Sequence, residues 1–250
     1  MKSSLRSATL PFSESVSSLF CQLARCGRVP AILLFPVILL LPLTAEAGLP
    51  RVAISIPPGQ NLAVELKTVE QCDVPGKLIA LPPLSFDLTG AGNPDSFFEE
   101  QGLQSVPEGF EVWLHVVVEA GSVPGKESEQ EIIKRVDAFV KSLPVSAPMV
   151  RGLMVEIKEP LGAPDLFAFG LVRLALAAKG NNAGLRLAFV FPPGFVSRHG
   201  DVVRRLATYS DLLGTTYGEG WRQDAAWIAR QALNKPLILK LGAETSAGPS

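Results

Sequence analysis

The chain has 250 residues, of which 47% are hydrophobic, and its 23 Lys and Arg side chains nearly balance 24 Asp and Glu. The formal net charge of −1 excludes the broad electrostatic attraction by which proteins bind nucleic acids or anionic membrane surfaces. The sequence contains neither a G-x-G-x-x-G run nor a G-x-x-x-x-G-K-[ST] run, which are the common loops for nucleotide phosphates. We therefore expect no nucleic-acid partner and no cofactor.

Residues 1–47 have the pattern of a secretory signal peptide. An apolar run at residues 31–43 follows several basic side chains and precedes Ala45-Glu46-Ala47, an order typical of cleavage before Gly48. The alternative is an uncleaved membrane anchor, but the run contains two prolines and is shorter than the about 20 residues that cross a bilayer. The sequence therefore predicts an exported protein, periplasmic or extracellular, that meets the membrane only through its export signal.

Removal of this segment leaves residues 48–250, about 200 residues, which suffice for one hydrophobic core and are few for two. We expect a single domain over that range. Cys72 is the only cysteine it contains, so an internal disulfide is excluded there.

Seven short apolar segments predict buried strands. They are residues 51–57, 77–82, 110–118, 150–157, 185–191, 209–216 and 236–241. Helical periodicity appears at residues 131–143, 165–179, 201–208 and 223–233, whereas residues 61–70 fit a helix or a strand. Because parallel strands require long crossovers, this alternation indicates βαβ units and an α/β fold.

Two architectures are built from such units, an open doubly wound sheet and a (β/α)8 barrel, also called a TIM barrel. The open sheet usually has a glycine-rich first turn, and the chain has Pro57-Pro58-Gly59 there, which favours the barrel. A closed barrel takes eight strands and about 250 residues. The sequence therefore predicts an incomplete (β/α)8-like barrel of about seven βα strands, with the last unit missing. Its first and seventh strands would expose edges, and either the chain is a fragment of a longer gene product or a partner chain covers them.

The fourth predicted strand ends in Glu156-Ile157-Lys158-Glu159-Pro160. Here the sequence resembles the retaining (β/α)8 glycoside hydrolases of the cellulase and xylosidase clan, whose fourth strand typically ends in Asn-Glu-Pro. Residues 150–153, 209–217 and 235–239 resemble parts of the fourth, sixth and seventh strands of that family, and the resemblance covers about residues 110–242.

The resemblance implies a carbohydrate ligand and hydrolysis of O-glycosidic bonds, with Glu159 as the acid/base and Tyr217 as a supporting hydrogen-bond donor. The family's nucleophile position is Leu241 in this sequence, and the nearest carboxylate is Glu244, three residues later. Retaining hydrolysis needs two carboxyl groups roughly 5 Å apart, whereas three residues of extended chain span roughly 10 Å. Two functions therefore stay open: a glycosidase, or a non-catalytic secreted or cell-envelope carbohydrate-binding protein.

Further candidates follow from strand alternation. Glu119 lies near the end of the third predicted strand and is a candidate to bind a sugar hydroxyl. Tyr217 and Trp221 follow the sixth strand, where their rings are placed to stack on a sugar. His115, in mid-strand, is predicted to be a hydrogen-bonded core residue and not a metal ligand, since spaced partners for a metal are missing.

Glu156 shares a strand face with Lys158 by the same alternation. If that face points inward, we expect the two side chains to form a buried ion pair.

Overall fold

The computed structural model describes residues 37–41, 51–56, 64, 67, 78–88, 103, 106, 109–119, 129–158, 164–231 and 235–240. All of them belong to one compact unit, Phe35–Ser250.

Within these residues the chain forms nine strands and four helices. The strands are β1 (Val37–Leu41), β2 (Arg51–Ser55), β3 (Leu78–Ala80), β4 (Leu84–Asp87), β5 (Glu111–Glu119), β6 (Val150–Ile157), β7 (Arg186–Phe191), β8 (Leu212–Thr216) and β9 (Leu237–Lys240). The helices are α1 (Glu129–Ser142), α2 (Pro164–Asn181), α3 (Phe195–Tyr209) and α4 (Trp221–Gln231). None of these four combines the length and the hydropathy that a helix needs to cross a bilayer.

The strands form one sheet in the order β3-β2-β1-β9-β8-β7-β6-β5-β4, and β3 also pairs with β5. Neighbours from β5 to β9 are all parallel, and helices α1 to α4 connect them in turn. Because β3 pairs with both β2 and β5, the sheet is curled. The α/β class, the seven predicted strands and the four predicted helices are confirmed.

The sequence of α1 explains why it forms and where it packs. Acidic Glu129 and Glu131 lie in its first turn and Lys141 in its last, so these charges complement the helix dipole. One side of α1 is buried against the sheet, and the ring of Phe139 stacks on Phe86 at a centroid distance of 3.9 Å.

The inward faces of the strands form a separate apolar cluster inside the curl. Its members are Leu78, Ala80, Trp113, Met154, Ala188, Val190, Leu212 and Ile238. Glycines make room for the large members: a Cβ on Gly152 would overlap the Trp113 ring, and one on Gly214 would lie 2.6 Å from the Cβ of Ile238. Small and large residues therefore alternate across neighbouring strands, which lets the curl close over a filled interior.

Strands β3 and β4 are two parts of one interrupted strand. Both pair in parallel with β5, β3 along its first half and β4 along its second. Pro82 and Pro83 lie between them, and proline has no backbone N–H to donate to a ladder, which accounts for the interruption.

Strand β1 is not among the predicted strands, because it lies in the apolar run assigned to the signal peptide. It pairs antiparallel with β2 on one side and β9 on the other. The first and seventh predicted strands are β2 and β9, and β1 covers the edges that they were expected to expose. A (β/α)8 barrel has only parallel strands, and an antiparallel strand in this position departs from that plan.

We predict that Gly152→Ala destabilises the protein by about 1–3 kcal/mol, because the added methyl group overlaps the Trp113 ring in a filled interior. The measurement is the free energy of unfolding in urea.

Gly180→Ala is the matched control, since a Cβ at this position in α2 meets nothing within 4 Å. Alanine is the better helix former there, so this variant should be unchanged or more stable. Equal losses in both variants would contradict the packing described for Trp113.

Candidate functional site

Polar side chains gather at the carboxyl-terminal edge of the parallel sheet. Glu119 ends β5, Lys158 follows β6, Tyr217 follows β8 and Lys240 ends β9. Parallel strands end at a common edge, so these residues share one end of the curl. Ligand sites of α/β proteins are built at this end of the strands, which makes it the candidate site.

Just inside that edge lies a cluster of three charged or titratable side chains, His115 on β5, Glu156 on β6 and Lys240 on β9. Nε2 of His115 is 2.8 Å from Oε2 of Glu156, and the Lys240 ammonium donates to the same oxygen. His115 is buried, and the side chains of Glu156 and Lys240 are 16% and 12% exposed. The cluster is therefore a nearly buried ion pair extended by a histidine.

The contact between Lys240 and Glu156 depends on the curl. In the strand order β6-β7-β8-β9 the two residues are three strand spacings apart, about 14 Å measured along a flat sheet. That separation exceeds the combined reach of the two side chains. They meet because both point into the curl and the sheet brings β9 around to face β6.

The cluster fixes the charge states of its members. Burial alone would raise the pKa of Glu156, but the hydrogen bond from His115 and the positive charge of Lys240 outweigh it and lower the pKa to about 2. Burial lowers the pKa of His115, and the hydrogen bond to Glu156 only partly opposes it. At neutral pH we therefore assign an ionised Glu156 beside a neutral His115 that donates its Nε2 hydrogen to the carboxylate.

Two buried nitrogen atoms on β5 have no hydrogen-bond partner among the described residues, Nδ1 of His115 and Nε1 of Trp113. They differ in character, since the indole N–H can only donate and Nδ1 of the neutral His115 can only accept. Buried polar groups of this kind are commonly satisfied by internal water.

Glu119 and Lys158 form the outer layer of the site. Nζ of Lys158 donates to Oε1 of Glu119 at 2.9 Å, and the side chains of Glu119 and Lys158 are 46% and 55% exposed. This differs from the expected pairing of Lys158 with Glu156. Glu156 lies deeper and takes its partners from β5 and β9, whereas Lys158 lies past the last residue of β6 and reaches only the end of β5.

An aromatic pair follows β8 at the same edge of the sheet. Tyr217 is 51% exposed, and its ring centroid is 5.8 Å from that of Trp221. The guanidinium of Arg222 lies over the Trp221 ring at 5.5 Å. Tyr217 and Trp221 therefore lie at this end of the sheet, with the Tyr217 side chain exposed.

The buried carboxylate of Asp224 supports the loop that carries this pair. It accepts a hydrogen bond from the backbone N–H of Gly194, at 2.5 Å, and so ties the start of α4 to the loop before α3. A Cβ on Gly218 would lie 2.6 Å from the ring of Pro193, so the two loops are in direct contact. Asp224 is not among the residues predicted from the sequence; its position in the first turn of an amphipathic helix is the signal that could have identified it.

Glu159 and Glu244, the predicted acid/base and the substitute nucleophile, lie outside the described residues. Among the described residues, the structure brings Glu119 into contact with Lys158 and Tyr217 into contact with Trp221. It also shows the cluster of His115, Glu156 and Lys240, which the sequence did not predict.

Over the described ranges, no three His, Cys, Asp or Glu side chains are grouped to hold a metal ion. Searches of protein-family models, of curated proteins and of solved structures found no match to the chain.

We predict that the stability of the protein falls as the pH drops below about 6.5, because His115 stays neutral when folded while the unfolded chain takes up the proton. The slope contributed by one such proton is at most about 1.4 kcal/mol per pH unit. Urea unfolding between pH 7 and 5 measures it, and His115→Gln should remove this contribution.

His199 is the other histidine of the chain, and His199→Gln is the control that should keep the slope. A slope unchanged in His115→Gln would contradict the assignment of a neutral buried imidazole.

We also predict that Lys240→Met costs about 3–5 kcal/mol of stability in urea unfolding, because it leaves the Glu156 carboxylate nearly buried without its cation. Lys158→Met removes a lysine from the exposed pair with Glu119 and should cost at most about 1 kcal/mol. Losses of similar size would show that the inner pair is no more important than the outer one.

Proposed function

We propose that the protein is an exported carbohydrate-binding protein whose ligand lies at the carboxyl-terminal edge of the curled sheet. The observation that carries the proposal is the exposed Tyr217 ring beside Trp221 at the end of β8. Apolar ring faces that stay accessible at this end suit the C–H face of a pyranose, and nearby charged groups suit its hydroxyls.

The two parts of the site follow different strands of the sheet, which suits a ligand of several rings. Glu119 ends β5, Lys158 follows β6 and Tyr217 follows β8, and β8 is two strand spacings, about 10 Å along the sheet, from β6. A sugar stacked on Tyr217 leaves its neighbour in the oligosaccharide to hydrogen-bond the Glu119 and Lys158 pair. The arrangement therefore favours an oligosaccharide over a monosaccharide.

Binding without hydrolysis is the form of the proposal that the charges support. A retaining glycosidase places a second carboxyl group roughly 5 Å from its acid/base. At the end of β9, the strand from which the resemblance expects the nucleophile, the inward side chain is Lys240, and its charge neutralises Glu156. We propose further that the sheet is an incomplete (β/α)8 barrel related to the retaining glycoside hydrolases.

We predict that Tyr217→Ala weakens oligosaccharide binding by at least about fivefold, since ring stacking contributes on the order of 1 kcal/mol or more. Isothermal titration with cello-, xylo- and manno-oligosaccharides measures it. Tyr209→Ala is the matched control, because this tyrosine ends α3 and lies at the opposite end of the sheet, before β8. Equal affinities of both variants and the parent chain would overturn the proposed position of the ligand.

Hydrolysis is tested separately with aryl glycosides. We expect no turnover by the parent chain. Turnover that disappears in Glu159→Gln or Glu244→Gln would instead establish the glycosidase, and the binding-only proposal would then be wrong.

A further inference from the structure

Strand β1 fills a slot one strand wide between β2 and β9. In the middle of the slot Leu39 is opposite Val52 of β2 and also opposite Leu239 of β9. The registers place four residue pairs on each side. Both neighbours therefore direct backbone hydrogen-bonding groups towards the slot, and β1 satisfies them.

The direction of β1 separates it from the rest of the sheet. Its two pairings are antiparallel, whereas every other pairing among the described strands is parallel. Residues 42–50 separate it from β2 in the chain, while helices lie between the successive strands from β5 to β9. β1 is thus an addition to the βα series and not one of its units.

The composition of β1 makes it tolerant of register. All five residues, VILLL, are apolar. A slip of one residue exchanges the two faces of a strand, and in this sequence either register leaves apolar residues on both faces. The slot therefore accepts an extended segment of apolar residues and does not depend on a particular order of their side chains.

The predicted signal-peptide cleavage site lies between β1 and β2 in the chain. The Ala45-Glu46-Ala47 motif lies in the connection at residues 42–50, and cleavage before Gly48 leaves every residue of β2 in place. After such a cut, hydrogen bonds and apolar contacts alone would hold β1.

We propose that the slot between β2 and β9 is a binding site for an extended apolar strand, and that Val37–Leu41 is its detachable occupant. The peptide adds to both edges at once, a doubled form of strand addition to a sheet. Only the natural cut rests on the proposed export; the binding of the strand does not.

The test uses the full chain with a site-specific protease sequence placed in residues 42–50. A fluorescent peptide spanning residues 35–45, with terminal lysines for solubility, is added before and after cutting. We expect binding to the cut chain and at least about a hundredfold weaker binding to the uncut chain, where the tethered strand competes at high effective concentration. The same peptide with Leu39→Pro should bind at least about tenfold more weakly, because proline lacks the N–H for the ladder.

If cutting unfolds the protein, native-state hydrogen exchange on the uncut chain tests the proposal instead. Local release of β1 should make the β9 amides exchange at least about tenfold faster than those of β6 and β7. Equal exchange in β9 and β6, or equal binding of the unchanged peptide and its Leu39→Pro variant, overturns the proposal. Tyr217→Ala should leave peptide binding unchanged, so the failure of one proposal is distinguishable from the failure of the other.

Discussion

The ion pair between Glu156 and Lys240 is the interaction on which the candidate site depends. It joins strands that are three positions apart in the sheet, so it can form only where the sheet curls back on itself. Two desolvated charges are unfavourable apart and acceptable together. The pair therefore constrains the curl, and the curl brings the end of β9 to face the end of β6 at the edge where the parallel strands end.

The order of strands and helices from β5 to β9 can be predicted from the sequence because each element has its own periodicity. Boundaries are less predictable where local geometry departs from the pattern. α3 begins at Phe195 instead of residue 201, since Pro192-Pro193-Gly194 ends the preceding loop and His199 has non-helical backbone angles inside the helix. β1 could not be predicted, because five apolar residues in a row suit a signal peptide and a buried strand equally.

The site can be predicted only in part, for a similar reason. Alternation along a strand assigns His115 and Glu156 to inward faces, but it does not say which distant strand faces them. Lys240 is 84 residues from Glu156, and its role follows from the curl alone. The nearer and more obvious partner, Lys158, pairs with Glu119 because it lies one step beyond the enclosed part of β6.

The two layers of the candidate site differ in charge and exposure. The inner cluster is neutralised internally and gives the floor of the site fixed charge states near neutral pH. The outer groups are accessible: Glu119 and Lys158 on one side and Tyr217 on the other. A rigid floor beneath exposed, chemically varied side chains is the arrangement that the proposed carbohydrate site would need.

The pairing of β1 with β9 also has a kinetic consequence. Ile38 is opposite Lys240, so the first described strand of the chain pairs with the last. Closing a loop of about 200 residues is entropically costly, and pairings between distant segments form late. During synthesis the sheet cannot complete its hydrogen bonding until β9 has emerged, so β1 lacks one of its two partner strands while the residues between them are being made.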